Sequence, residues 1–143
     1  MYKSNTEITV RYAETDQMGI VHHSNYYIYF EAAREDFIAG AGISYKDMEN
    51  QGILMPLIET QCKYIEGAKY ADKLNIETTV EELSPAKVTL QYTVIRKADK
   101  KVLSKGKTVQ VFVDRNNFRI INLKRKYPDI WAKLTNLYPL PNT

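Results

Sequence analysis

The residues of this chain best suited to bond-breaking chemistry lie close together. Asp16, Gly19, His22 and His23 occupy one irregular stretch, Ala13 to His23, that follows an alternating segment and precedes a helical one. A carboxylate in such a loop can act as a general base towards water or as a nucleophile in its own right. A histidine without charged neighbours is near-neutral at pH 7 and can hold water or a carbonyl oxygen. Gly19 can supply a positive φ or a close backbone approach. The start of the following helix adds unpaired N–H groups and the positive end of a dipole, both favouring negative charge. Each feature also has an ordinary reading. Asp often bonds its own backbone in a turn, and Asp16 taken alone reads that way. Adjacent histidines suggest a metal, but neighbouring side chains on a helix diverge by about 100°. With 2 histidines in the whole chain, no metal site is expected. Cys62, the single cysteine, falls on the apolar phase of an alternating segment, where a thiol packs as a small hydrophobe.

The surrounding elements must position that loop. Glu7 to Tyr12 alternates, with Ile8, Val10 and Tyr12 on one side and Thr9 and Arg11 on the other, the pattern of a half-buried strand. From Ser24 the period becomes helical. Tyr26, Phe30, Ala33 and Phe37 share a face that Tyr27 and Ile38 widen, and Gly40 and Gly42 supply the stop. A short second helix is expected from Ser44 to Asn50, capped by Ser44 and ended by Gly52. After Pro56 the chain is strand-like. Ile58, Thr60, Cys62 and Tyr64 form one alternating face, Leu74, Ile76, Thr78 and Val80 another, and Val88, Leu90, Tyr92 and Val94 a third. A last strand runs from Val102 to Asp114, with Gly106 marking a bulge, and turns are expected at Ser84-Pro85 and at Ala98 to Lys101. The tail from Leu123 to Leu137 reads as a helix, with Tyr127, Ile130, Trp131, Leu134 and Leu137 on one face and Pro128 restarting it. This order predicts an α+β domain spanning residues 1–143, in which a five-stranded antiparallel sheet is covered by the long apolar helix.

Composition narrows the class of function. A chain of 143 residues, 44% hydrophobic and 26% charged, is the size and make-up of one globular domain. Lys and Arg number 20 against 17 Asp and Glu, and the cations are scattered apart from Lys124, Arg125 and Lys126. With no aromatic RNA-binding signature, a nucleic-acid partner is not expected. The single cysteine precludes an intramolecular disulfide, Met1 to Glu7 lacks an apolar signal-like run, and no apolar stretch is long enough to span a bilayer. The expected compartment is the cytoplasm.

The stretch Val10-Arg11-Tyr12-Ala13-Glu14-Thr15-Asp16-Gln17-Met18-Gly19-Ile20-Val21-His22-His23-Ser24-Asn25-Tyr26 resembles the signature of the 4-hydroxybenzoyl-CoA thioesterase family. The segment Tyr64 to Leu74 resembles that family's connection between the second and third strands, so the similarity extends to about Leu123. Its histidine at position 23 is like that of the acyl-CoA thioesterase branch related to the Tol-Pal-associated enzymes, where the aromatic-substrate enzyme has tyrosine. The resemblance implies a hotdog fold, a five-stranded sheet curled around one long helix with a short C-terminal helix. It also implies a homodimer or homotetramer with active sites at the subunit boundary, and hydrolysis of an acyl-CoA, with an acyl carrier protein as the other possible carrier. No cofactor is implied beyond the coenzyme A of the substrate.

On the same resemblance Asp16 and His23 are the catalytic residues: Asp16 as base or nucleophile, the His23 amide as oxyanion donor. Gly19, Ile20, Val21 and Tyr26 line the substrate site, and Glu59 and Thr60 lie in the strand that passes its reactive end. The alternation makes Glu59 an outward-facing residue. Lys63, Lys69 and Arg96 are candidates to hold the CoA phosphates. Two rivals stand beside this reading. A hotdog enoyl-CoA hydratase also uses Asp and His, but with a shorter spacing enclosing Asn-Pro, whereas Gln17 to Val21 separate Asp16 from His22 here. A catalytically silent hotdog protein would bind the acyl carrier without turnover.

Overall fold

The computed structural model describes residues 2–138. Five strands, β1 (Ser4–Thr9), β3 (Leu57–Tyr64), β4 (Lys73–Leu83), β5 (Lys87–Arg96) and β6 (Val102–Val111), form one antiparallel sheet in the order β1-β4-β5-β6-β3. Helix α1 (Asn25–Ala39) crosses one face of it. Helix α2 (Tyr45–Gln51) and a small ribbon of β2 (Ile53–Leu54) with β7 (Val113–Asp114) close one end. Helices α3 (Leu123–Lys126) and α4 (Pro128–Leu137) complete the chain. This is the expected α+β hotdog arrangement. Among the described residues no helix is long and apolar enough to cross a membrane.

The long helix sits where its greasy side can be covered from the sheet. Phe30 is fully buried, its ring stacked on Tyr92 at 4.4 Å and 12°. Beneath it lies Gly106, where an added Cβ would come within 2.4 Å of the Phe30 ring. Gly106 therefore serves packing, not a bulge: it is in register with both Cys62 and Tyr92. The sheet irregularities fall instead between Leu57 and Glu59, Val80 and Glu82, and Val94 and Ile95. Thr6 donates to Asp36 at 2.6 Å, tying β1 to α1.

Several expected elements differ in detail. The first strand begins earlier, at Ser4, and ends at Thr9; Ser4, Thr6 and Val10 are buried, but Tyr12 leaves the sheet in a 3-10 turn, Tyr12–Glu14, and is 73% exposed. The reason is local, because the Glu14 carboxylate accepts from the Arg11 amide and winds the chain into that turn. Tyr27 is half-exposed, and Tyr29 takes its place in the core. The last strand breaks at Phe112, after which β7 pairs with β2 in the separate ribbon. The tail is two helices because Tyr127 leaves helical geometry ahead of Pro128. Ser44 and Gly52 do bracket α2, the serine accepting from Asp47 N–H and the glycine at φ +101°.

Candidate active site

Asp16 is held at the tip of a loop whose base is closed by the Thr15–Val21 β-bridge, made by His22 N–H donating to the Glu14 carbonyl at 2.9 Å and Asp16 N–H to Ile20 O at 2.8 Å. Val21 N–H ties the loop to Ala68 O at 2.9 Å. Gly19 takes φ +82°, closing the tip by donating to Asp16 O. One carboxylate oxygen of Asp16 accepts from the Met18 amide at 2.8 Å. Asp16 thus has its ordinary turn role, and its second carboxylate oxygen has no partner among the described residues.

His22 and His23 precede α1 and are not on it, so the helical divergence does not apply: their rings stack at 4.1 Å. His22 Nδ1 accepts from the Ser24 amide, which puts its proton on Nε2. Among the described residues no three His, Cys, Asp or Glu side chains form a metal cluster. The His23 amide donates to no acceptor among the described residues, while the Asn25 and Tyr26 amides turn back to His22 O and His23 O.

Asp16, Ile20, Val21, His23 and Tyr26 line one cleft of about 180 Å³. The opposite wall comes from the end of β3 and the loop beyond it, Tyr64 to Gly67, residues the sequence reading had placed in the family's connection without giving them a site role. Gly67 is required by the close approach of this loop, since a Cβ there would fall 2.5 Å from Ile20 Cγ2. Tyr64 meets Tyr26 edge-on at 5.4 Å and His23 at 6.5 Å, so aromatic rings wall the cleft. Burial raises the phenol of Tyr26 and pushes Tyr64 up to about 12, with the neighbouring Cys62 adding to the latter. Both therefore stay protonated. Burial likewise raises the Cys62 thiol, which suits packing and not nucleophilic attack.

Gly19 shapes the loop without lining the cleft, and Glu59 and Thr60 are exposed further back along β3. At ~3.3 Å per residue Thr60 lies about 13 Å along the strand from Tyr64. Arg96 is not available for a phosphate: its guanidinium contacts Glu66 at 2.5 Å, Asp99 at 2.8 Å and Asp72 at 3.8 Å, pinning the cleft-wall loop. Those carboxylates raise its pKa, and Arg96 in turn holds Asp99 down at about 2.

Glu14 was not singled out from the sequence, since a carboxylate near another one carries no pattern. Its side chain is buried and accepts from Arg11 N at 2.9 Å, Arg11 Nε at 3.1 Å and Tyr29 Oη at 2.8 Å. Burial pulls its pKa up, but the Arg11 amide, the Tyr29 hydroxyl and the Arg11 guanidinium outweigh that and hold it below the ordinary value of 4.5. A depressed folded pKa contributes stability that is present above 4.5 and lost as pH falls through the folded value. Melting temperatures of wild type and Glu14→Gln are therefore expected to differ at pH 7 and to converge as the pH falls below 4.5 and through the lowered folded value. A gap that is constant with pH would show that the charge of Glu14 adds nothing.

The comparisons with known proteins agree with this fold. The family model described as the thioesterase-like superfamily matches residues 10–135. YneP of Bacillus subtilis (strain 168), a protein whose name proposes acyl-CoA thioesterase activity, is 34% identical over 129 residues, covering 90% of this chain and 93% of that one. The structure is similar to a DHNA-CoA thioesterase from Staphylococcus aureus, with TM-score 0.89, 36% identity and coverage of 96% and 93% of the two chains. It is also similar to a hypothetical protein, TT1821, from Thermus thermophilus, with TM-score 0.86, 36% identity and coverage of 94% and 99%. The chain belongs to the thioesterase-like superfamily and is, like its relatives, a thioester hydrolase of the hotdog fold.

Proposed function

We propose that this protein hydrolyses acyl-CoA thioesters whose acyl group is compact or aromatic, with Asp16 and the His23 amide as the reacting machinery. The observation that carries this reading is that Asp16, with one carboxylate oxygen unbonded, and His23, whose N–H has no acceptor among the described residues, line the same aromatic-walled cleft. As general base, Asp16 takes a proton from water while the oxygen attacks the thioester carbon. The oxyanion that forms is stabilised by the His23 N–H at the head of α1. Collapse breaks the C–S bond, the thiolate of CoA recovers the proton from Asp16, and the free acid leaves. As nucleophile, Asp16 would attack the carbon itself and expel the CoA thiolate, and water would then cleave the mixed anhydride to the free acid and the Asp16 carboxylate, the released proton going to the thiolate.

The aromatic rings of Tyr26 and Tyr64 that wall the cleft suit a flat, unsaturated acyl group. Relatives that bear the name of DHNA-CoA and gentisyl-CoA thioesterases are in keeping with an aromatic acyl group. The functional unit in this reading is at least a dimer. β3 is an edge strand that exposes Leu57, Ile58 and Tyr64, with Ile28 of α1 also exposed, and such an edge invites pairing with a second copy. That pairing sets Glu59 and Thr60 against the other copy's β3 and puts the cleft at the subunit boundary. Lys63 and Lys69, both exposed, remain for the CoA phosphates, and the cytoplasm is the compartment that fits this substrate.

Thiol release over short, medium, long and aromatic acyl-CoAs, with an acyl carrier protein thioester alongside, tests the reading. The aromatic and short substrates are expected to exceed the long ones in kcat/KM by about tenfold or more. Preference for a long chain would refute the compact-cleft reading, and tight binding without release from any substrate would leave a binding protein.

A further inference from the structure

We propose that Glu14, acting with Tyr29, is a positioning residue that holds Asp16 and the His23 amide in register for hydrolysis. This rests on the roles given above to Asp16 and His23. Glu14 is bonded to several elements through both its main chain and its side chain. Its carbonyl accepts from His22 N–H and from Asn25 Nδ2, both at 2.9 Å, so one peptide group grips the residue before His23 and the first residue of α1. Its carboxylate reaches one turn further along α1 to the buried Tyr29 hydroxyl, and back to the Arg11 amide. Glu14 thereby clamps the 3-10 turn, both sides of the loop base and two turns of the helix.

The consequence is geometric. Asp16 leaves this clamp on one side of the loop and His23 on the other, with Thr15 and Val21 bridged between them. Any tilt of the base changes the separation of carboxylate and amide. A misplacement of about 1 Å in such a pair can cost ~100-fold in rate. The exposed Arg11 guanidinium adds little, because solvent screens it; the bond that matters is the one to Tyr29, which is 2% exposed. Burial and the facing Glu14 carboxylate keep that phenol protonated and donating. The Tyr29 hydroxyl and the Arg11 amide donate to the same oxygen, Oε1, so glutamine at position 14 can keep both bonds through its carbonyl oxygen, whereas leucine has a similar length and removes both.

The test compares Glu14→Leu, Tyr29→Phe, the double variant and Asp16→Asn by thiol release, each with a thermal melt. Glu14→Leu is expected to lower kcat by about 10- to 100-fold with KM changed by less than about twofold. Tyr29→Phe should lose about tenfold, and the double variant should be no slower than Glu14→Leu, because both single variants remove the same bond. The loss should persist on cooling to where every variant is fully folded. Full activity of Glu14→Leu beside an inactive Asp16→Asn overturns the positioning role and leaves the Asp16 reading standing. A loss that disappears on cooling, or additive losses in the double variant, also overturns it. Full activity of Asp16→Asn overturns both readings together. If Glu14→Leu fails to fold, Tyr29→Phe, which removes one hydroxyl, decides by the same kcat and KM criteria.

Discussion

Asp16→Asn is expected to lower kcat on the best acyl-CoA by about 10³-fold, equivalent to ~4 kcal/mol of barrier, with little change in KM. Asparagine is the informative substitution because its side-chain oxygen still accepts from Met18 N–H, the one bond the carboxylate makes to its own loop. The turn survives and only the base or nucleophile is removed. Asp16→Ala loses the turn bond as well, and should be no more active and somewhat less stable. Turnover in ¹⁸O-water reports the nucleophile route: label entering the Asp16 carboxylate signals a mixed anhydride opened by water at the aspartyl carbon. If the asparagine variant keeps more than about a tenth of wild-type kcat, Asp16 does not carry the chemistry.

Phe30→Ala should have the largest effect on stability, about 3–5 kcal/mol. The ring is completely buried, lies flat on Tyr92 and occupies the space that Gly106 leaves by having no side chain. Alanine would vacate that space, and neither Tyr92, whose hydroxyl is bonded to Thr108 at 2.7 Å, nor the paired backbone at Gly106 is free to collapse into it. The loss is a large fraction of the ~5–15 kcal/mol that typically holds a domain together. Urea unfolding at fixed protein concentration measures it, as a lower midpoint with an unchanged slope. A shift worth less than about 1 kcal/mol would show that the helix repacks over the sheet.

The two substitutions also divide what was legible in the sequence from what was not. β4 and β5 are covered by α1 on one face and open on the other, so Leu74 to Val80 and Val88 to Val94 alternate cleanly and could be read as strands with the right side inward. β3 could be read as a strand, but its inward side could not, because an edge strand is exposed on both faces in the single chain. Tyr12 continued the alternation of β1 in sequence, yet the capping of Arg11 by Glu14 turned the chain away from the sheet first. Gly106 invited a backbone explanation, and its actual partner is a phenyl ring 76 positions earlier in the chain.

At the cleft the same division holds. The stretch from Val10 to Tyr26 is continuous in sequence, so the loop, its glycine and the approach to α1 were visible as one motif. The wall opposite, Tyr64 to Gly67, and the ion pairs of Arg96 that fix it come from distant segments whose residues follow no local rule. The clamp at Glu14 was hidden for a related reason: its bonds to Tyr29 and Asn25 exist only once the helix has been laid beside the 3-10 turn. By itself the sequence determined what depends on near neighbours and on period: the strands and helices, the loop that bears Asp16, and the chemistry open to it. Only the tertiary structure decided which oxygen of Asp16 is left free, which residues share its cleft and which distant segment walls it, because those follow from contacts between elements that no periodicity encodes.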